Sequence, residues 1–70
     1  MRFYLGEIYE GDFPDGRRQA VVVALADDGR KGKLRFTNIE GECTVLWAEL
    51  HQTWNWRRVI VESQNILDGE

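Results

Sequence analysis

Residues 19–36, QAVVVALADDGRKGKLRF, read as two apolar strands joined by a tight charged turn, and the rest of the chain has to pack around them. From Ala20 to Ala26 every residue is apolar and Val is abundant. So short a β-branched run is better suited to a sheet strand buried on both faces than to a helix. Asp27-Asp28-Gly29 ends it, and an Asp-Gly step between two apolar runs is a hairpin signal, because Gly takes positive φ at little cost and Asp tolerates it. Beyond the turn, Leu34 and Phe36 alternate with Lys33, Arg35 and Thr37, the pattern of a strand with one dry and one wet face.

Working outward, 70 residues allow one domain, and a domain this small buries only about 60% of the surface its unfolded chain exposes. Three Trp, three Phe and two Tyr are therefore expected to supply much of the core, each burying roughly 150–250 Å² when enclosed. The balance of 43% hydrophobic and 30% charged residues is that of a folded chain. Cys43 is the only cysteine, which excludes an internal disulfide. The first residues carry neither the apolar core nor the cleavage site of a signal peptide, and no run reaches the length of a membrane span, so a reducing cytoplasm is the expected compartment.

The remaining segments complete a pattern of five strands, expected at about residues 2–9, 18–26, 32–38, 42–48 and 56–62. Gly6 inside the first reads as a bulge or a close backbone approach. Glu10 to Gly16, EGDFPDG, reads as a loop, with Pro14-Asp15-Gly16 as its turn. Thr37 to Glu42 holds a second turn, and Ala48 to Gln52 drops strand alternation in favour of one helical turn. The domain is expected over residues 1–62, with 63–70 as a frayed tail. Val21, Val23, Leu25, Leu34, Phe36, Val45, Trp47, Val59 and Val61 are the expected core, Val23 and Phe36 foremost. Five short strands, a long first loop, tight central turns and a helical turn before the last strand resemble the SH3-like small barrels, among them the Tudor and chromo-like domains. That resemblance implies an all-β antiparallel barrel and a habit of binding ligands. An OB-like barrel is the alternative, although it normally places a longer helix between its third and fourth strands.

No constellation for chemistry stands out. Cys43, His51 and Glu49 are the only thiol, imidazole and carboxylate that combine into a nucleophilic set, and each has an ordinary structural role: a small buried thiol, a rim imidazole, a solvated carboxylate. One Cys and one His offer no metal-ligand spacing, turn chemistry accounts for Asp12, Asp15, Asp27 and Asp28, and no glycine-rich phosphate loop is present, so neither catalysis nor a cofactor is expected. Binding remains. Trp54-Asn55-Trp56-Arg57-Arg58 carries the residue types enriched at binding hot spots, and strand alternation keeps both Trp from being core unless Trp54 belongs to the preceding turn. Under the small-barrel resemblance, the helical turn before the last strand borders the ligand groove, so Trp54 is either a contact there or a cap on the barrel. Tyr9, Phe13, Trp54, Trp56, Arg57 and Arg58 form the expected protein-binding set. Tyr9, Phe13, Trp47 and Trp54 are the candidates for an aromatic cage around a methylated ammonium. The alternative is nucleic acid. Residues 17–35 hold six basic side chains against two acidic ones, a balance of +4 in a chain of net charge −3, and Arg30, Lys31, Lys33 and Arg35 would meet phosphate while Trp54 and Trp56 stack on bases. Acidic residues on both sides of that strip favour a protein partner or a second copy of the chain.

Overall fold

The computed structural model describes residues 1–60, and within them the central apolar run is the longest strand. β2 (Gly16–Ala26) is flanked by β1 (Ile8–Phe13) on one side and β3 (Lys31–Phe36) on the other. β4 (Glu42–Leu46) pairs with β3, and the two-residue β5 (Arg57–Arg58) pairs with β1. All pairings are antiparallel, in the single order β4-β3-β2-β1-β5. Two 3₁₀ turns interrupt the strands: η1 (Asp27–Gly29) makes the β2–β3 corner and η2 (Trp47–Glu49) follows β4. This is the expected all-β antiparallel architecture with a short helical turn before the last strand. Residues 37–41 join β3 to β4 without the helix of an OB-like barrel.

The sheet curls into a barrel-like shape. β3 and β5 stand three positions apart, roughly 14 Å in a flat sheet. Yet the ring of Trp56, just ahead of β5, lies 6.2 Å from that of Phe36 on β3. Phe3, Tyr9, Ala20, Val22, Leu34, Leu50 and Trp56 fill the interior, with Phe13, Leu25, Phe36, Cys43, Val45 and Trp47 partly buried against them. Two glycines make room for rings. A Cβ on Gly32 of β3 would stand 2.9 Å from the Phe3 ring, and one on Gly11 of β1 3.1 Å from Trp56.

Several expectations are corrected. The first strand is not 2–9 but Ile8–Phe13, so most of the expected Glu10–Gly16 loop is strand and only Pro14-Asp15 turns. Glu10, Gly11 and Asp12 look like loop composition, but Gly11 faces the Trp56 ring while Glu10 and Asp12 face arginines on the wet side. Upstream, Gly6 is not a bulge: its φ of +88° serves the turn closed by the Glu7 N–H donating to the Tyr4 carbonyl, while another backbone does approach it, its own N–H donating to the Val22 carbonyl at 2.9 Å. Phe3, ahead of that turn, donates its N–H to Gly29 O at 2.7 Å. Val21, Val23 and Val59 are half-buried and lie outside the core cluster. For the two β2 valines the reason is a bulge: Val22 pairs with Leu34 but Ala24 with Lys33, which leaves Val23 unpaired. Parity therefore switches, with Ala20 and Val22 inward before the bulge and Leu25 after it. Phe36 is partly buried rather than central. Val61, the end of the expected fifth strand and the expected frayed tail at 63–70 lie outside the described residues.

Candidate aromatic groove beside the fourth strand

The curl leaves a seam between β4 and the turn that leads into β5, and the seam is an open groove of about 370 Å³. Phe13, Phe36, Trp54 and Trp56 line its aromatic part, Cys43 to Leu46 of β4 form one bank, and Glu49 and Thr53 complete the lining. Trp54 stacks on Phe13, with ring centroids 4.6 Å apart and planes 14° from parallel. Phe13 in turn meets Phe36 and Trp56 edge-on, each at 5.5 Å. Strand alternation explains the floor: Phe13 ends the inward face of β1 and Phe36 that of β3.

Trp54 owes its position to backbone. It and Asn55 both have positive φ, 59° and 51°, a conformation that is an outlier for a bulky side chain. The Trp54 carbonyl accepts the Asp12 N–H at 2.6 Å, and the Asn55 amide donates to Asp12 Oδ2 at 3.3 Å. The turn is thus pinned to β1, and Trp54 is left 40% exposed above the groove while Trp56 is only 1% exposed.

The expected binding set divides accordingly. Phe13 and Trp54 meet at the groove. Trp56 is core and contributes only its edge of the floor, and Tyr9, 1% exposed, is also core. Burial, then Glu7, pushes the Tyr9 phenol up to about 12, and that phenol donates to Glu7 Oε1 at 3.1 Å. Arg57 and Arg58 are engaged across β1. Arg57 reaches both Asp12 oxygens, at 3.1 and 3.2 Å, and Glu10 at 3.0 Å, while Arg58 approaches Glu7 at 3.4 Å. Hydrogen bonds from Arg57, then from Asn55, hold the Asp12 carboxyl below its usual range, and Asp12 in return raises Arg57. The four-walled cage does not assemble, because Tyr9 and Trp47 pack edge-on with Phe3 in a separate cluster.

On the basic strip, Arg35 pairs with Glu42 at 2.8 Å and Lys33 with the same carboxylate at 3.9 Å. Arg30 donates to the Asp27 carbonyl and Lys31 is half-buried. One of the two proposed base-stacking rings, Trp56, is enclosed. Cys43 lines the aromatic groove, where burial raises its thiol pKa, whereas His51 lines a different hollow with Tyr9, Trp47 and Leu50. Among the described residues, no three His, Cys, Asp or Glu side chains are grouped to hold a metal ion, and no helix is long and apolar enough to cross a membrane.

Sequence reading missed Phe36, Cys43, Thr44, Val45, Leu46, Glu49 and Thr53 as groove residues. The signal available was the alternation Cys43, Val45, Trp47, which sets these side chains on one face of a strand that ends the sheet among the described residues. Compared with known protein families, with curated proteins and with solved structures, the chain matches none.

Proposed function

We propose that this chain is a small non-catalytic binding module of the SH3-like kind, acting in the cytoplasm, and that its partner is a protein held in the aromatic groove. The observation that carries this reading is Trp54, a large side chain kept at the surface by a left-handed backbone. Such a conformation costs roughly 1–3 kcal/mol and persists where surrounding structure enforces it, commonly at ligand sites. A ring needed only as a barrel cap would be served equally by relaxed backbone. The groove floor is apolar and aromatic, and among the described residues Glu49 is the only carboxylate lining it. Those features suit a protein segment, since phosphate contacts need convergent unpaired cations, and two of the three cations that β3 sets opposite β4, Lys33 and Arg35, are shared with Glu42.

The test is to pan the folded chain against a display library of random twelve-residue peptides and to map each selected peptide by amide chemical shifts. The expected shifts fall on Phe13, Phe36, Val45 and Trp54. A twelve-residue oligothymidylate, titrated at about 50 and 200 mM salt, is expected to produce no comparable change. Oligonucleotide shifts confined to Arg30, Lys31, Lys33 and Arg35 that fade with salt would overturn the protein reading in favour of nucleic acid.

A further inference from the structure

Among the described residues, only one side of β4 is paired. The Phe36 N–H donates to Gly41 O at 3.1 Å and the Trp47 N–H to Arg30 O at 2.7 Å, which brackets the β3–β4 ladder at both ends. With the register running from Arg35↔Glu42 to Lys31↔Leu46, antiparallel alternation turns the backbone groups of Cys43 and Val45 toward β3. Those of Glu42, Thr44 and Leu46 point away from the sheet, and they have no backbone partner outside the strand ladders among the described residues. Three outward N–H and C=O pairs thus run alongside the aromatic groove, and the inward side chains of the same strand form its bank.

Charge adds a second constraint. Glu49 is the one charged side chain lining the groove, and it makes no ion pair among the described residues. Trp54, which lines the same groove, presents a ring face to which a cation is attracted.

From this juxtaposition we infer that the partner binds as an added strand: an extended peptide pairs with Glu42, Thr44 and Leu46 of β4, lays an apolar side chain on Phe13 and Phe36, and places a Lys or Arg two residues away against Glu49 and Trp54. Main-chain pairing supplies affinity, and the alternate side chains supply selectivity. The spacing of two follows from strand geometry, in which residues i and i+2 share a face. A second copy of the chain is the less suitable occupant. Symmetric pairing of β4 about Thr44 sets Glu42 against Leu46 of the other copy, so Glu49 receives no cation from that strand.

The inference rests on the protein-binding reading, and the experiment separates the two. Peptides selected from the same library are titrated into labelled protein, then resynthesised with single backbone N-methyl groups along their length. Strand addition predicts that the Glu42, Thr44 and Leu46 amides become protected from hydrogen exchange and that N-methylation at alternate peptide positions weakens binding at least tenfold. It also predicts that Glu49→Gln weakens peptides bearing Lys or Arg by several-fold and leaves uncharged ones unchanged. Selected peptides that shift Trp54 but leave the three amides unprotected and tolerate every N-methyl group would overturn strand addition while leaving the groove as a protein site. Protection of the three amides without peptide, in a protein that sediments as a dimer, would assign the edge to a second copy and overturn the inference. Failure to select any peptide that shifts Trp54 would remove the protein-binding reading itself.

Discussion

Trp56 and Trp54 stand two residues apart in one short segment and have opposite fates, and the backbone of Trp54 accounts for the difference. Trp56→Ala removes a wholly enclosed ring that touches Phe13, Phe36 and Gly11, and a loss of about 3–5 kcal/mol is expected by denaturant unfolding. A change under about 1 kcal/mol would place Trp56 outside the core. Gly32→Ala forces the Phe3 ring to move, and a cost of roughly 1–3 kcal/mol is expected from overpacking; unchanged stability would show that the ring has room. Tyr9 offers a spectroscopic check. Its folded-state pKa of about 12 against an ordinary 10 means that its contribution to stability is fully present below pH 10 and is lost as pH rises through 12. Absorbance of the phenolate should show one tyrosine ionising near 12 in folded protein. If both tyrosines ionise together near 10, Tyr9 is solvated.

At the level of elements, β5 is only two residues long, and side chains reaching across to β1 add to its ladder. Arg57 bridges Glu10 and Asp12, and Arg17 joins from β2 at 3.5 and 3.6 Å. Asp12 and Asp15 both have depressed pKa values, held down chiefly by hydrogen bonds from Arg57 and Arg18 respectively. Their contribution is therefore present above the ordinary aspartate range, near 4, and is lost as pH falls through the depressed folded-state values. The thermal midpoint followed from about pH 6 to pH 2 should fall less steeply in Asp12→Asn, and added salt should reduce the difference. Superimposable profiles would mean that the clamp adds nothing. These elements also show what was legible in the sequence. The β2–β3 hairpin and the helical turn before β5 were readable, because an Asp-Gly corner and a loss of alternation are local signals. β1 was not, because Glu10 and Asp12 owe their place in a strand to arginines distant in sequence, and the parity of β2 was hidden by a one-residue bulge at Val23 that no local pattern marks.

For the whole molecule, the barrel-like curl creates the candidate site: it brings β4, an edge strand, opposite the pinned turn of Trp54, with the Phe13 and Phe36 rings between them. The sequence pointed to Phe13 and Trp54 because a loop aromatic and a Trp pair beside arginines are unusual in so short a chain. It did not reveal the β4 bank, since whether a strand is an edge depends on the order of the complete sheet. Nor did it show that Arg57 and Arg58 engage β1 carboxylates rather than face a partner, because that depends on cross-strand register. The central claim is that the groove under Trp54, and not the stability of the fold, is what Trp54 serves. The most direct measurement is the dissociation constant of a library-selected peptide for the native chain and for Trp54→Ala, taken together with both thermal midpoints. The account predicts at least tenfold weaker binding with midpoints agreeing to within about 4 °C, the shift that roughly 1 kcal/mol produces in a domain of this size. Equal dissociation constants, or a midpoint that collapses along with binding, would contradict it.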